Sequence, residues 1–224
     1  MNPRTGLPAA SYPPATPGSI LTRESRVLNS VGYTAAMNVY DFDKTLYRGD
    51  STADFLLWCM RRYPRVVATL PRTAAAAGAW LGLHVIDKTR FKGALYRFLP
   101  YVPDIERELQ RFWAVHEARI SGPCHTQAGD LVISASPEFL LRDGCARRGL
   151  QLIASPVDPH TGRVLGPNCS NDQKVTRYRE RFGNTPIEAF YSDSRNDDPL
   201  AALATEAYLV DIARNTLTPW PKER

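Results

Sequence analysis

Residues 38–46 place the strongest constraint on the possible fold of the chain, because a short apolar run ends there in two carboxylates. The run reads Asn38-Val-Tyr-Asp-Phe-Asp-Lys-Thr-Leu46, so that Asp41 and Asp43 are separated by one residue. An apolar strand that carries acids to the rim of a sheet is typical of open α/β folds, which bind ligands at the carboxyl ends of their strands. If the strand persisted, both acids would share a face and repel each other. A divalent metal such as Mg²⁺ would offset that cost, and the alternative is that the acids cap a turn or a helix.

Three later segments repeat this layout of a strand or helix that leads to a polar side chain. Ser134 ends a second apolar run, and Lys174 stands at the start of an amphipathic helix, where an anion is favoured. A further predicted strand runs into an acidic cluster that contains Asp193, Asp197 and Asp198. Each segment alone has an ordinary explanation as a strand end, a solvated lysine or a turn.

In this order the four segments resemble the signature of the haloacid dehalogenase superfamily of phosphotransferases. That signature is Asp-x-Asp, then Ser or Thr, then Lys, then a paired-aspartate motif. The resemblance covers residues 37–212 and implies an α/β fold, a Rossmann-like parallel sheet flanked by helices, with a helical cap inserted after the first core strand. Lys44 is a departure, because the family most often has Gly at that position.

The resemblance implies a role for the motif residues. Asp41 would attack phosphorus and form an aspartyl-phosphate, while Asp43 would protonate the leaving alkoxide and then activate water. The cofactor Mg²⁺ would be held by the Asp41 carboxylate, the Asp43 backbone carbonyl and Asp193. Ser134 and Lys174 would bind the phosphoryl oxygens.

Two more acids receive roles by the same resemblance. Asp197 would orient Lys174 or a metal-bound water, a role that Asp198 could share. Asp50 follows Asp41 by nine residues, at a position where relatives place an acid that faces the cap and the substrate. The alternative for Asp50 is that it caps the start of the next helix.

The chain is predicted to contain one catalytic domain with an insertion and an N-terminal extension. Residues 1–36 are expected to be flexible and Pro-rich, without the apolar core of a signal peptide. Residues 37–50 and 121–224 are assigned to the Rossmann-like catalytic core, and residues 51–120 to the helical cap.

Local patterns predict individual elements within these parts. Ser51 is a good N-cap for a helix that carries Phe55 and Trp58, and a second amphipathic helix is expected over residues 103–119. In the core the pattern predicts a helix over 137–148, a strand over 152–154, a hairpin at 158–162 and a last strand over 207–210.

Part of the cap carries a large excess of basic over acidic residues, although the formal net charge of the whole chain is only +5. Between residues 60 and 98 the only acid is Asp87, and the basic residues are Arg61, Arg62, Arg65, Arg72, Lys88, Arg90, Lys92 and Arg97. This pattern favours either solvated arginines on a helical bundle or peripheral contact with an anionic membrane. Pro71, Arg72 and His84 argue against a spanning helix, and no recognised motif supports nucleic acid as a partner.

The spacing of the cysteines bears on the cellular compartment, and short sequence segments bear on the substrate. Cys59, Cys124, Cys145 and Cys169 show no Cys-x-x-Cys spacing, which favours a reducing cytoplasm, at the inner face of the membrane if the cap binds lipid. The segments at residues 136–137, 152–155 and 191–200 resemble the phosphatidylglycerophosphatase C branch and its uncharacterised soluble relatives. Phosphoserine phosphatases are the nearby alternative, but they usually carry two glycines after the motif-two serine, where this chain has Ala135-Ser136.

Three functions remain open from the sequence. The first is a Mg²⁺-dependent phosphomonoester hydrolase that acts on a lipid phosphate. The second is a phosphatase of a phosphorylated small molecule, phosphoserine-like or sugar-phosphate-like. The third is a non-catalytic phosphate-binding module, against which Asp43 argues because binding alone needs no acid/base residue.

Overall fold

The computed structural model describes residues 37–81 and 88–221. The extension predicted over residues 1–36 lies outside the described residues. The sheet consists of β1 (Met37–Tyr40), β2 (Leu131–Pro137), β3 (Gln151–Ser155), β4 (Ile187–Ser192), β5 (Ala204–Asp211) and β6 (Thr216–Pro219). Its order is β3-β2-β1-β4-β5-β6, and only β6 pairs antiparallel, with β5. The predicted Rossmann-like parallel sheet is therefore confirmed, with the antiparallel β6 as an addition.

The strand order creates a switch point at β1. The chain leaves β1 to build β2 and β3 on one side, and it later returns to build β4 on the other side. The loops that follow β1 and β4 consequently diverge, and the crevice between them is where open α/β sheets bind ligands. Asp41 and Asp193 are the first residues after these two strands.

Both faces of the sheet are covered, which explains why the central strands read as continuous apolar runs. Val39 and Ile133 lie in one hydrophobic cluster, together with Tyr178 of the later helix. Tyr40 and Val132 point the other way and join a second cluster. Because neighbouring residues of a strand point to opposite faces, both β1 and β2 must be apolar throughout.

Between β1 and β2 the described residues 51–81 and 88–119 are mostly helical, and we call them the helical insertion. It contains α1 (Ser51–Arg62), α2 (Pro64–Val67), α3 (Leu70–Leu81), α4 (Lys88–Leu95), a 3-10 helix (Tyr96–Tyr101), α5 (Ile105–His116) and a 3-10 turn (Glu117–Arg119). The N-cap of α1 is Asp50, whose side chain accepts from the Ala53 amide, and Ser51 is already the first helical residue. The expected N-cap at Ser51 was thus one residue late.

The helical insertion shares a hydrophobic core with the sheet. Phe55, Phe112 and Trp113 belong to the same buried cluster as Tyr40 and Phe42. Burying aromatic side chains of this size contributes about 1.5–3 kcal/mol each. The insertion is therefore anchored on the sheet face next to the carboxyl end of β1.

The rest of the core follows the predicted alternation with two differences. Its helices are α6 (Glu138–Ala146), α7 (Asp172–Phe182) and α8 (Asp198–Ala201), with a 3-10 turn at Arg195–Asp197. The expected hairpin is a turn closed by a single bridge between Val157 and Val164, because the Asp158 carboxylate accepts from the His160 and Thr161 amides. The pattern did not predict β6, since every residue of that strand is exposed and apolar alternation is missing.

Within the two described stretches of the chain, no helix has both the length and the apolar character needed to cross a bilayer.

Candidate active site

The two acids of the first motif point to different partners. Strand β1 ends at Tyr40, and the Asp41 amide still donates to the Tyr191 carbonyl of β4 over 2.8 Å. The chain then turns, so that Asp43 forms only an isolated bridge with Tyr47. The acids consequently do not continue a strand side by side. Asp41 faces α7, and Asp43 faces β2 and the start of α1.

Lys174 is buried between two carboxylates. Its Nζ lies 2.6 Å from Asp41 Oδ1 and 2.7 Å from Asp197 Oδ2, and its side chain is only 2% exposed. Burial alone would lower the pKa of this ammonium, but Asp41 and Asp197 raise it above its usual value. The pKa of Asp41 is raised to about 7 by burial, against the opposing effect of Lys174. This cluster thus keeps a charged lysine beside a carboxylate that is costly to ionise.

Asp197 is placed to orient Lys174. It is buried in the 3-10 turn after β4 and also accepts from the Ser192 hydroxyl over 2.7 Å. Asp198 does not share this role, because its carboxylate pairs with Arg195 over 2.6 Å at the surface. Sequence reasoning missed Ser192, which ends β4 and holds Asp197 in place.

Asp193 lies beside the first acidic loop. Its backbone amide donates to Thr45 Oγ1 over 3.0 Å, which ties the loop after β4 to the loop after β1. Burial raises the pKa of the Asp193 carboxyl, Lys44 opposes this effect and Asp197 adds to it. Asp193 in turn raises the pKa of Asp41, so the carboxylates repel one another.

The donors at this edge are oxygen atoms. In the part of the chain that the structure describes, no three His, Cys, Asp or Glu side chains form a metal-binding group by themselves. A cation between Asp41 and Asp193 would therefore need backbone and water ligands as well. Mg²⁺ takes this mixture of one or two carboxylates with waters, and the mutual repulsion of the carboxylates favours a cation. The residues present thus fit Mg²⁺ by their chemistry.

Asp43 is held by groups from two elements. The Ser136 hydroxyl donates to its Oδ2, and the Ser51 amide donates to its Oδ1 over 2.7 Å. Burial raises the pKa of Asp43 to about 6, with Asp50 adding to the rise and both serines opposing it. Sequence reasoning did not identify Ser136 as a site residue. Its position two residues after Ser134 was the available signal, because alternate residues of a strand share a face.

Ser134 lies in β2 and is buried, with 2% of its surface exposed. Its Oγ accepts from the Ser136 amide over 3.1 Å, which uses a lone pair and leaves the hydroxyl hydrogen to donate. Both serines lie where the pairing of β2 with β3 is irregular, between Ile133 and Pro137. The irregular backbone brings both hydroxyls to the carboxyl edge of the sheet.

Asp50 and Lys44 flank this centre at the surface. Asp50 caps α1 through the Ala53 amide at 2.9 Å, which is the alternative that the sequence left open. Lys44 has a φ of +60°, a conformation that glycine adopts without strain and other residues rarely adopt. Lysine therefore occupies a turn that suits the glycine common in the family, and its cation lies near Asp193.

Lys92 is a second cation that sequence reasoning placed elsewhere. It was counted among the basic residues of the cap surface, but its Nζ donates to the Ala135 carbonyl and to Asn168 Oδ1. Ala135 separates the two serines of β2. The helical insertion thus contributes a direct contact to the strand end that carries Ser134.

The parallel sheet, with carboxylates, serines and a buried lysine at its carboxyl edge, defines an α/β protein with a reaction site at the switch point. The family model described as haloacid dehalogenase-like hydrolase matches residues 39–202. The chain belongs to this family of hydrolases.

Individual proteins resemble the chain to different extents. Protein CicA of Caulobacter vibrioides is 27% identical over 207 residues, which cover 83% of this chain and 90% of CicA. A histidinol-phosphatase of Neisseria meningitidis is 32% identical over 105 residues, which cover 39% of this chain and 46% of that protein. A solved structure of a protein of unknown function from Bordetella pertussis superposes with a TM-score of 0.59 at 19% identity, covering 78% of this chain and 89% of that one. The last similarity shows a shared fold.

Proposed function

We propose that the chain is a Mg²⁺-dependent phosphatase that hydrolyses phosphate monoesters through an aspartyl-phosphate. The observation that carries this proposal is the buried Lys174, which links Asp41 at the end of β1 to Asp197 after β4. A lysine and a hydroxyl beside a carboxylate nucleophile supply what phosphoryl transfer needs, which is positioning and charge stabilisation. Membership in a hydrolase family and similarity to a protein named histidinol-phosphatase also support it.

In the first step the Asp41 carboxylate attacks phosphorus, and the bond from phosphorus to the ester oxygen breaks. Lys174 binds Asp41 Oδ1, which leaves Oδ2 outside that contact and available for attack. Ser134 and Lys174 hold the phosphoryl oxygens. Asp43 gives its proton to the leaving alkoxide, and a pKa of about 6 keeps part of this carboxyl protonated near neutral pH.

In the second step water attacks phosphorus and releases inorganic phosphate from Asp41. Asp43, now ionised, takes a proton from that water. The Asp41 and Asp193 carboxylates and the Asp43 carbonyl would hold Mg²⁺, which neutralises phosphate charge when bound. Asp197 keeps Lys174 in place through both steps, since the two side chains remain in contact inside the protein.

Ser136→Ala tests whether Asp43 is the acid. Removing the hydroxyl that donates to Asp43 raises the pKa of this carboxyl further, because Ser136 lowers it. The alkaline limb of kcat/KM against pH is therefore expected to move to higher pH, with kcat reduced roughly tenfold. Ser136→Thr keeps a hydroxyl and should restore both quantities. An unchanged alkaline limb in Ser136→Ala would assign the proton transfer to another group.

Chelation tests the metal. Because the ligands of the proposed metal site are all oxygen atoms, exhaustive dialysis against EDTA is expected to abolish hydrolysis of a chromogenic phosphate ester. Adding Mg²⁺ should restore it. Ca²⁺ should be a poor substitute because its larger and looser shell misplaces the nucleophile. A calorimetric titration with Mg²⁺ supplies a readout apart from turnover, and Asp193→Asn should weaken that binding. Full activity after chelation would contradict the assignment.

The substrate is proposed to be a phosphorylated small molecule or a lipid phosphate. The lipid alternative, with peripheral binding to an anionic membrane, is supported by exposed arginines on the helical insertion, such as Arg61 and Arg65. Arg62 is exposed as well, but its guanidinium stacks over the Trp58 ring at 3.5 Å and pairs with Glu108. The four free cysteines suit a reducing cytoplasm, so we propose the inner face of the membrane for such contact.

A screen separates these substrates. It would compare lysophosphatidate, phosphatidylglycerophosphate, phosphoserine and sugar phosphates in the presence of Mg²⁺. The highest kcat/KM identifies the class, since discrimination among substrates is read in that ratio. Binding of phosphate without turnover of any member would instead favour the non-catalytic module.

A further inference from the structure

A second concave site lies on the helical insertion, and it contains none of the residues assigned to the active site. We call it the basic groove, and its lining includes Arg65, Thr69, Arg72, Arg97 and Tyr101. The groove has a volume of about 490 Å³. This volume falls within the range of small-ligand sites, about 300–1,000 Å³.

Three different elements contribute the arginines that line the groove. Arg65 lies on α2, Arg72 on the first turn of α3, and Arg97 on the 3-10 helix Tyr96–Tyr101. All three arginines are exposed, and within residues 37–81 and 88–221 no carboxylate pairs with any of them. Glu108, the buried acid of α5, is already paired with Arg111 over 2.8 Å. The groove consequently keeps its positive charge.

Charge and geometry favour a phosphate in the groove over other anions. Like charges around one cavity repel each other, and a bound anion offsets that repulsion. Guanidinium groups match phosphate oxygens with two parallel hydrogen bonds, and three arginines suit a ligand with several acceptor oxygens better than a single carboxylate. Tyr101 is 43% exposed and offers a further O–H donor beside an apolar ring. We propose that the basic groove binds a phosphate group, carried either by a phospholipid headgroup or by a soluble phosphate ester.

The 3-10 helix Tyr96–Tyr101 contributes residues to the groove and also lies near the active site. Arg97 follows Tyr96, which is buried. Burial raises the pKa of Tyr96, and Asp50 and Asp43 raise it further, so this ring lies within electrostatic reach of the acid/base centre. Neighbouring residues of one 3-10 helix thus serve the two sites, Arg97 in the lining of the groove and Tyr96 near the acids Asp43 and Asp50. The groove holds phosphate next to the catalytic centre without taking part in the reaction.

The test compares two triple variants in a chain that also carries Asp41→Asn, so that turnover does not interfere. The groove variant is Arg65→Gln, Arg72→Gln and Arg97→Gln. The control variant is Arg107→Gln, Arg163→Gln and Arg179→Gln, which removes the same charge from exposed arginines outside the groove. Two probes are used: sedimentation with phosphatidylglycerol vesicles, against phosphatidylcholine vesicles, and calorimetric titration with inorganic phosphate.

The groove variant is expected to lose about 100-fold in affinity for the probe that binds, and the control variant less than about threefold. Inorganic phosphate is also expected to bind Ser134 and Lys174 in the active site of both variants. Binding to the groove is therefore measured as the difference in affinity between the groove variant and the control variant. A loss confined to vesicles identifies the headgroup as the source, and a loss confined to inorganic phosphate identifies a soluble ester. Either result supports the site, and binding should weaken as salt rises.

Equal losses in both variants would overturn the proposal, as would a chain with an intact groove that binds neither probe. Thermal unfolding checks that the triple variant still folds. The single substitution Arg97→Gln tests the groove with a smaller change to the protein. With Asp41 restored, the groove variant should hydrolyse a soluble chromogenic phosphate at the normal rate. Because binding is measured without Asp41, failure of the groove and failure of the proposed phosphatase activity give different results.

Discussion

Asp41→Asn is expected to abolish formation of a phosphoenzyme and to lower kcat by roughly 10⁴-fold or more. The amide cannot serve as the nucleophile, and no covalent intermediate then forms. The measurement is an acid quench of the chain with a labelled phosphate ester, followed by peptide mapping of the label. In the parent chain the label should reside on Asp41. Trapped phosphate on any other residue would refute the assignment.

Asp43→Asn is the matched comparison for this substitution. It keeps the nucleophile and removes the proton donor, so it should slow both half-reactions, by roughly 10²–10⁴-fold, while a slowly formed phosphoenzyme remains detectable. The thermal stability of both variants shows whether a loss of activity comes from the missing catalytic group or from unfolding. Lys174 keeps its second carboxylate partner, Asp197, in the Asp41→Asn variant. This variant should therefore still show a cooperative thermal unfolding transition at pH 8.

Lys174→Met is expected to lose both activity and stability. Without the ammonium, Asp41 and Asp197 remain buried with no opposite charge, and breaking a buried pair in this way costs about 3–5 kcal/mol. The free energy of unfolding in urea at neutral pH measures the loss. The control is Lys44→Met, which removes an exposed lysine at the same edge and should stay within about 0.5 kcal/mol. Equal effects of the two substitutions would contradict the central role of Lys174.

The pH dependence of Lys174→Met provides an independent check. Without Lys174 the raised pKa of Asp41 is no longer opposed by a neighbouring ammonium, so ionisation of Asp41 destabilises the fold as pH rises. The difference in stability from the parent chain should consequently be small near pH 4 and should grow toward pH 8. Adding Asp197→Asn removes one of the stranded charges, so it should recover part of the stability but none of the activity. No recovery would mean that the loss comes from packing of the methionine.

The sequence by itself determined the parallel sheet and the residues at its carboxyl edge. Apolar runs that end in Asp41, near Ser134 and before Asp193 mark buried strands, because both faces of such a strand must be apolar. These signals are local, so they survive without knowledge of packing. Asp41, Lys174 and Asp197 do come together as the motif order implied. Their catalytic roles stay predictions.

Only the tertiary structure decided how side chains distant in sequence meet. Asp43 and Ser136 are 93 residues apart, and their hydrogen bond depends on how the turn after β1 faces β2. The same holds for Lys92, whose contact with the Ala135 carbonyl spans 43 residues. This lysine is consequently not one of the exposed basic residues of the cap. Periodicity reports which side of an element is buried, but it carries no information on what packs against that side. Such contacts are selected by the joint packing of the helical insertion and the sheet, which no single segment of the sequence encodes.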